Sequence, residues 1–147
     1  MMTNYLSNAP TFTYTSLKVT QYKSATTANQ PGGPGPITVF PNATTTQVHY
    51  RNGHLVTSMA SGLGADGFVY PKGLFYQISV AHKSPKLLKQ IVVDPGQGVA
   101  VQMPSADEDA QGNLGLNWIE SSNTEYLSVW VGSQSKKRSS ATLAVGL

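Results

Sequence analysis

The chain contains no cysteine, which excludes disulfide staples and thiolate metal sites. Charge is scarce as well. Asp, Glu, Lys and Arg make up 12% of the 147 residues, about half the usual share. The net charge of +3 comes from dispersed basic residues with one tight group at Lys136, Lys137 and Arg138. A dense basic face, which nucleic-acid binding by counterion release requires, is lacking, so no nucleic-acid partner is expected. No apolar run approaches the 18 or so residues of a membrane span, so no membrane partner is expected either. The opening MMTNYLSNAP has neither a basic n-region nor a long apolar core, and a chain made without export is expected.

Catalytic patterns are equally thin. There is no G-x-S-x-G elbow, and no carboxylate pair that spacing certifies. Gly62, Gly64 and Gly67 spell G-x-G-x-x-G, but that fingerprint needs a following helix, whereas Phe68-Val69-Tyr70-Pro71 is extended and cut by proline. The histidines are His49, His54 and His82; the first two flank a turn but lack an acidic or thiolate third ligand, so no metal site is expected. Asp107-Glu108-Asp109, within PSADEDAQGN, is the one acidic cluster. Its spacing is not that of an EF-hand, and consecutive acids point in different directions, so a solvated loop is the simpler reading beside a Ca²⁺ loop. No cofactor is expected, and no enzymatic activity. Asn42-Ala43-Thr44 matches a glycosylation sequon, which carries no weight without export.

What the chain does have is a succession of short runs rich in Val, Ile, Thr, Tyr and Phe, bounded by turn residues. After residue 36 these are ITVF (37–40), TTTQVHY (44–50), HLVTS (54–58), LFYQISVAH (74–82), GVAVQM (98–103), LGLNWIE (114–120), TEYLSVWVG (124–132) and SATLAVGL (140–147). Arg51-Asn52-Gly53-His54 places Asn-Gly between two of them, the strongest short-range hairpin signal. In LFYQISVAH, Phe75, Gln77, Ser79 and Ala81 alternate with Leu74, Tyr76, Ile78 and Val80. Asp94-Pro95-Gly96 reads as a turn. Residues 84–93 stay open between two forms. Ser84-Pro85 resembles a helix start, with Leu87, Leu88, Ile91 and Val92 on one helical face, while Ile-Val-Val followed by Asp-Pro favours a strand. The expected fold is all-β, an antiparallel β-sandwich.

Residues 1–36 differ from the rest. TFTYTSLKVTQY (11–22) alternates weakly, a polar stretch follows, and PGGPGP (31–36) can be neither a regular helix nor a central strand. The expectation is an N-terminal arm with one strand and a Pro/Gly hinge over 1–36, followed by a sandwich domain over 37–147. Fully extended, such an arm reaches roughly 120 Å at about 3.3 Å per residue. Tyr5, Leu6, Phe12, Tyr14, Leu17 and Val19 are its apolar contact residues. An ordinary first hairpin with a long loop is the alternative.

Within the body, Gly73-Leu74-Phe75-Tyr76-Gln77-Ile78-Ser79-Val80, Glu125-Tyr126-Leu127-Ser128-Val129-Trp130 and Ser140-Ala141-Thr142-Leu143-Ala144-Val145-Gly146-Leu147 follow one another. In that order they resemble the central, late and closing strands of the tumour-necrosis-factor-like and complement-type globular heads. The likeness covers about half the chain, and Ala144 and Val145 replace the bulky aromatic often found in the closing strand. The resemblance implies a jelly-roll and a homotrimer, with Tyr126, Trp130 and Leu143 at subunit contacts. Some tailed phages use such trimers as head decoration (cement) proteins. A virion location, a major capsid protein as partner and arms that bridge capsomers by strand addition are the corresponding expectations. The acidic loop, Asp107, Glu108 and Asp109, and the basic loop, Lys136, Lys137 and Arg138, are then rim charges that meet between neighbouring subunits. Another virion part (minor capsid, spike or tail adaptor) and a carbohydrate-binding lectin module using Trp118, Trp130 or loop carboxylates are the alternatives.

Overall fold

The computed structural model describes residues 2–3, 6–25, 27–32, 37, 39, 47–63, 69–81, 84–136 and 142–146. Among them there is no helix, and the body is two four-stranded antiparallel sheets packed face to face. The first sheet runs β3 (Val48–Arg51), β4 (His54–Gly62), β5 (Pro71–Ser79), β6 (Lys86–Val93). The second runs β7 (Ala100–Glu108), β8 (Leu114–Ser121), β9 (Ser128–Gln134), β10 (Thr142–Gly146). A small N-terminal ribbon joins β1 (Met2–Thr3) to β2 (Thr11–Phe12).

Each large sheet is a meander of consecutive strands, and among the described strands the chain changes sheets once, between β6 and β7. A jelly-roll passes repeatedly from sheet to sheet, so this strand order is simpler than the one the family resemblance implies. The β3–β4 hairpin forms where Asn-Gly predicts it. Asn52 and Gly53 have φ of 51° and 78°, and Arg51 stands opposite His54; both turn positions need φ > 0, which Asn and Gly tolerate. Residues 86–93 are a strand, resolving the helix–strand ambiguity. Pairing with β5 along nearly its whole length satisfies the backbone, and a bulge between Gln77 and Ile78 absorbs one extra residue.

The alternation in β5 sets the core. Phe75 faces the second sheet, in one cluster with Val56, Val93, Val101, Ala106, Leu114, Leu116 and Trp118. Phe75 and Trp118 meet edge to face, centroids 6.3 Å apart at 66°. Gly73 lets the sheets close here, because a Cβ at that position would lie 3.1 Å from both Phe75 Cε2 and Val101 Cγ1. Leu74 and Tyr76 face the other way, with Met59, Leu63, Ile78 and Leu87. All of Pro71–Gln77 is buried, so the central strand is covered on both faces.

The N-terminal segment is tied to the outer face of the first sheet. Lys23 and Gly62 exchange backbone hydrogen bonds of 3.1 and 2.9 Å. Ser61 Oγ donates to the Lys23 carbonyl at 2.6 Å, and the Thr20 amide donates to Gln90 Oε1 at 3.0 Å. Ala28 bridges Ile37 and packs with Val39 and Ala100 in a third small cluster. Thr20, Lys23, Ala25 and Ala28 therefore touch the body, while residues 18–24 keep their side chains largely exposed.

Replacing Phe75 by Ala removes the side chain that joins the two sheets. The expected cost is about 3–5 kcal/mol, read as a lower denaturation midpoint with an unchanged β-type circular dichroism spectrum of the remaining folded fraction.

Candidate interaction surfaces

The acidic cluster does not behave as a unit. The stretch 105–108, expected as loop, continues β7, and only 109–113 turns. Within a strand, successive side chains take opposite faces. Glu108 therefore points inward and is buried, while Asp107 points outward with His49 Nδ1 at 4.0 Å. Asp109 closes its own turn, accepting from the Gln111 and Asn113 amides at 2.9 and 2.8 Å and from Asn113 Nδ2 at 2.7 Å. These bonds, the Asn113 side chain first, hold the Asp109 carboxyl below its ordinary range. Among the described residues no group of three or more His, Asp or Glu is placed to hold a metal ion.

Glu108 has a specific role in the interior. His54 Nδ1 lies 2.9 and 3.0 Å from its two oxygens, and Gln77 Nε2 donates to Oε2 at 2.8 Å. The carboxylate faces Nδ1, so that nitrogen carries the proton and donates. The three residues come from β7, β4 and β5, so the cluster ties the two sheets at one end of the sandwich. The Lys136 side chain passes this end: its Cδ lies 3.0 Å from where a Cβ on Gly112 would sit, and its amide donates to Asn113 Oδ1 at 3.0 Å. Lys136 thus adjoins the acidic turn of its own chain, where the sequence suggested a contact between subunits. Lys137 and Arg138 lie outside the described residues.

The opposite end holds the buried cation. Lys72 is 1% exposed; its ammonium donates to the Gly96 and Val99 carbonyls at 2.7 and 3.2 Å and pairs with Asp94 Oδ1 at 2.9 Å. It thereby fastens the one described crossover between the sheets. Burial pushes the Asp94 carboxyl up, but the Lys72 bond and charge and the Gly96 amide outweigh it and hold it low. Glu120, also buried, accepts from Trp118 Nε1 at 2.6 Å. Its carboxyl is raised, because burial and the nearby Glu125 charge outweigh the Trp118 bond and Lys72.

The expected subunit-contact residues separate. Trp130 stands opposite Trp118 on the inward face and packs against the core, donating to Glu125 Oε1 at 3.3 Å. It is a packing residue, because β9 alternates and the positions of Trp130, Gly132 and Gln134 face in. Tyr126 lies in the turn before β9 and is 64% exposed. Leu143 pairs with Gly132 in β10. Trp118 is fully buried, which removes it as a sugar-stacking platform. Missed by sequence was the outward face of β9, where Val129 and Val131 are exposed; period-2 counting from Trp130 would have found it.

On the arm, Leu6, Phe12 and Tyr14 are 88%, 71% and 95% exposed, Val19 is exposed and Leu17 half-buried. Tyr5 lies outside the described residues. Comparison with protein-family models, curated proteins and solved structures finds no match.

Two outcomes follow. Glu108→Ala leaves His54 and Gln77 facing an empty interior position and lowers stability by about 1–3 kcal/mol, whereas Glu108→Gln, which keeps an acceptor, costs less; thermal melts of both variants measure it. Glu120, with its raised carboxyl, favours the folded state at low pH, and that contribution is lost as pH rises and the group ionises. Glu120→Gln is therefore more stable than the parent at pH 7 and loses that advantage at pH 4, measured as urea midpoints at the two values.

Proposed function

We propose that the chain is a structural protein of a virus particle, a decoration (cement) protein that binds the capsid lattice as a trimer and works by adhesion. The observation that carries the reading is the N-terminal segment. It presents Leu6, Phe12 and Tyr14 to solvent, while Thr20, Lys23 and Ala28 just after it are hydrogen-bonded to the sandwich and the strap beside it. Large apolar side chains held in the open on a tethered extended segment suit contact with another protein. A short extended segment adds to exposed sheet edges, and several weak arm contacts sum through avidity on a repeating lattice.

The body suits the same role. Its core is tied at both ends by buried polar groups, which makes it a firm mount for the arms. Val129 and Val131, with Leu127 and Tyr126 beside them, give an exposed apolar surface on the second sheet for contacts between copies. The sequence resemblance suggests the trimer and the capsid as partners; the tethered arm supports contact by adhesion.

The docked stretch begins at Thr20, so a chain lacking residues 1–16 keeps its cover and stays folded. Light scattering and co-sedimentation with particles assembled from the virus's major capsid protein are the measurements. The full chain is expected to be trimeric and to decorate particles, and the shortened chain to lose particle affinity on the order of 10²-fold or more. Full-length protein that never sediments with particles ends this reading.

A further inference from the structure

We propose that an internal water molecule joins Tyr76 Oη to Gln90 Nε2 on the outer face of the first sheet. Through it the N-terminal segment is fastened to the central strand β5 as well as to β6. This fastening steadies the mount of the arm, whatever surface the arm itself meets.

Tyr76 and Gln90 stand opposite each other in the register of β5 and β6, so their side chains share one face. Tyr76 Oη and Gln90 Nε2 are both buried, and neither has a hydrogen-bond partner among the described residues. Buried polar groups are normally satisfied, and here two unsatisfied ones are neighbours.

Both atoms are donors. Burial first, then the nearby Tyr22, pushes the Tyr76 hydroxyl up to about 12, so the phenol keeps its proton. The Gln90 amide cannot answer by turning round. Its Oε1 accepts from the Thr20 amide at 3.0 Å, and a flip would set Nε2 against that N–H, donor against donor. The side chains packed with Tyr76, namely Met59, Leu63, Leu74, Ile78 and Leu87, are apolar. What the pair requires is a small acceptor that takes two hydrogens, and water meets that requirement. An internal water typically makes about three hydrogen bonds to groups otherwise unsatisfied. Tyr76 and Gln90 supply two, and Tyr22, itself exposed, brings a third hydroxyl close to Tyr76 on the side nearest solvent.

The water completes a chain of polar contacts. The Thr20 amide donates to Gln90 Oε1, Gln90 Nε2 donates to the water, and the Tyr76 hydroxyl donates to it from the other side. Gln90 lies on β6, an edge strand, and Tyr76 lies on β5 next to it. Held at both ends of its amide, Gln90 becomes a fixed acceptor for the Thr20 bond, and such linked bonds reinforce one another.

Tyr76→Phe keeps the ring and removes one donor, so it tests the chain without emptying the core. Tyr76 makes no bond to Thr20, yet the Thr20 amide is expected to exchange with deuterium roughly fivefold faster in the variant, the equivalent of one lost net hydrogen bond. Amides of β8, in the other sheet, are expected to keep their rates. A crystal structure of the parent chain that orders internal waters is expected to show one within hydrogen-bond distance of both atoms. An unchanged Thr20 rate overturns the proposal, and so does an equal acceleration in β8, which marks general destabilisation. A parent structure in which either atom bonds directly to protein, or in which no water lies between them, overturns it by itself, even if the variant fails to fold.

Discussion

The structure depends on covering β5 twice. A strand whose residues face apolar neighbours on both sides cannot lie at the surface of a two-sheet sandwich, and Pro71–Gln77 is buried throughout. One cover is the second sheet, through Phe75, Val101 and Trp118. The other face carries Met59, Leu63, Leu74 and Tyr76, and N-terminal chain is tied across it by the Thr20 amide on Gln90 and the Lys23–Gly62 bridge. Leaving that face bare would expose four large apolar side chains at the centre of a sheet, so the N-terminal segment belongs to the folded body as well as to the surface.

Much of this was legible in the residues. Asn52-Gly53 announced its hairpin, the alternation in LFYQISVAH named both faces of β5, and Asp94-Pro95-Gly96 marked the turn, where the Gly96 amide donates to Asp94 Oδ1 at 3.0 Å. The strand at 86–93 was ambiguous, because its apolar spacing fits a helical face and a covered strand alike; pairing with β5, a tertiary fact, decided it. The seat of the N-terminal segment left no signal, since a bridge of single residues has no period to detect. Residues 105–108 looked like loop through the preceding Pro104 and their own acids. Pro104 is accommodated beside a bulge between Gln102 and Ser105, with Met103 at φ 45°, and the strand resumes with Glu108 turned inward.

The candidate surfaces were less legible than the fold for the same reason. Counting by twos along β9 puts Trp130 inside and Val129 and Val131 outside, but composition draws the eye to the tryptophan. Charge was read by proximity in sequence, whereas the sheets sort it by face and by end: His54 and Gln77 meet Glu108 at one end, and Lys72 meets Asp94 near Glu120 at the other. Both groups sit where strands from different sheets converge. There a polar network fixes how the layers align, as buried polar groups do when every member is satisfied.

The two-meander order bears on how the molecule is made. Every strand pair in the large sheets joins neighbours in sequence, so closing each hairpin spans only a short loop, and local closure is fast. During synthesis the first meander can zip up while the second is still inside the ribosome. Docking of layer on layer, with Lys72 taking hold of the 94–99 crossover, is then left as the late, cooperative event.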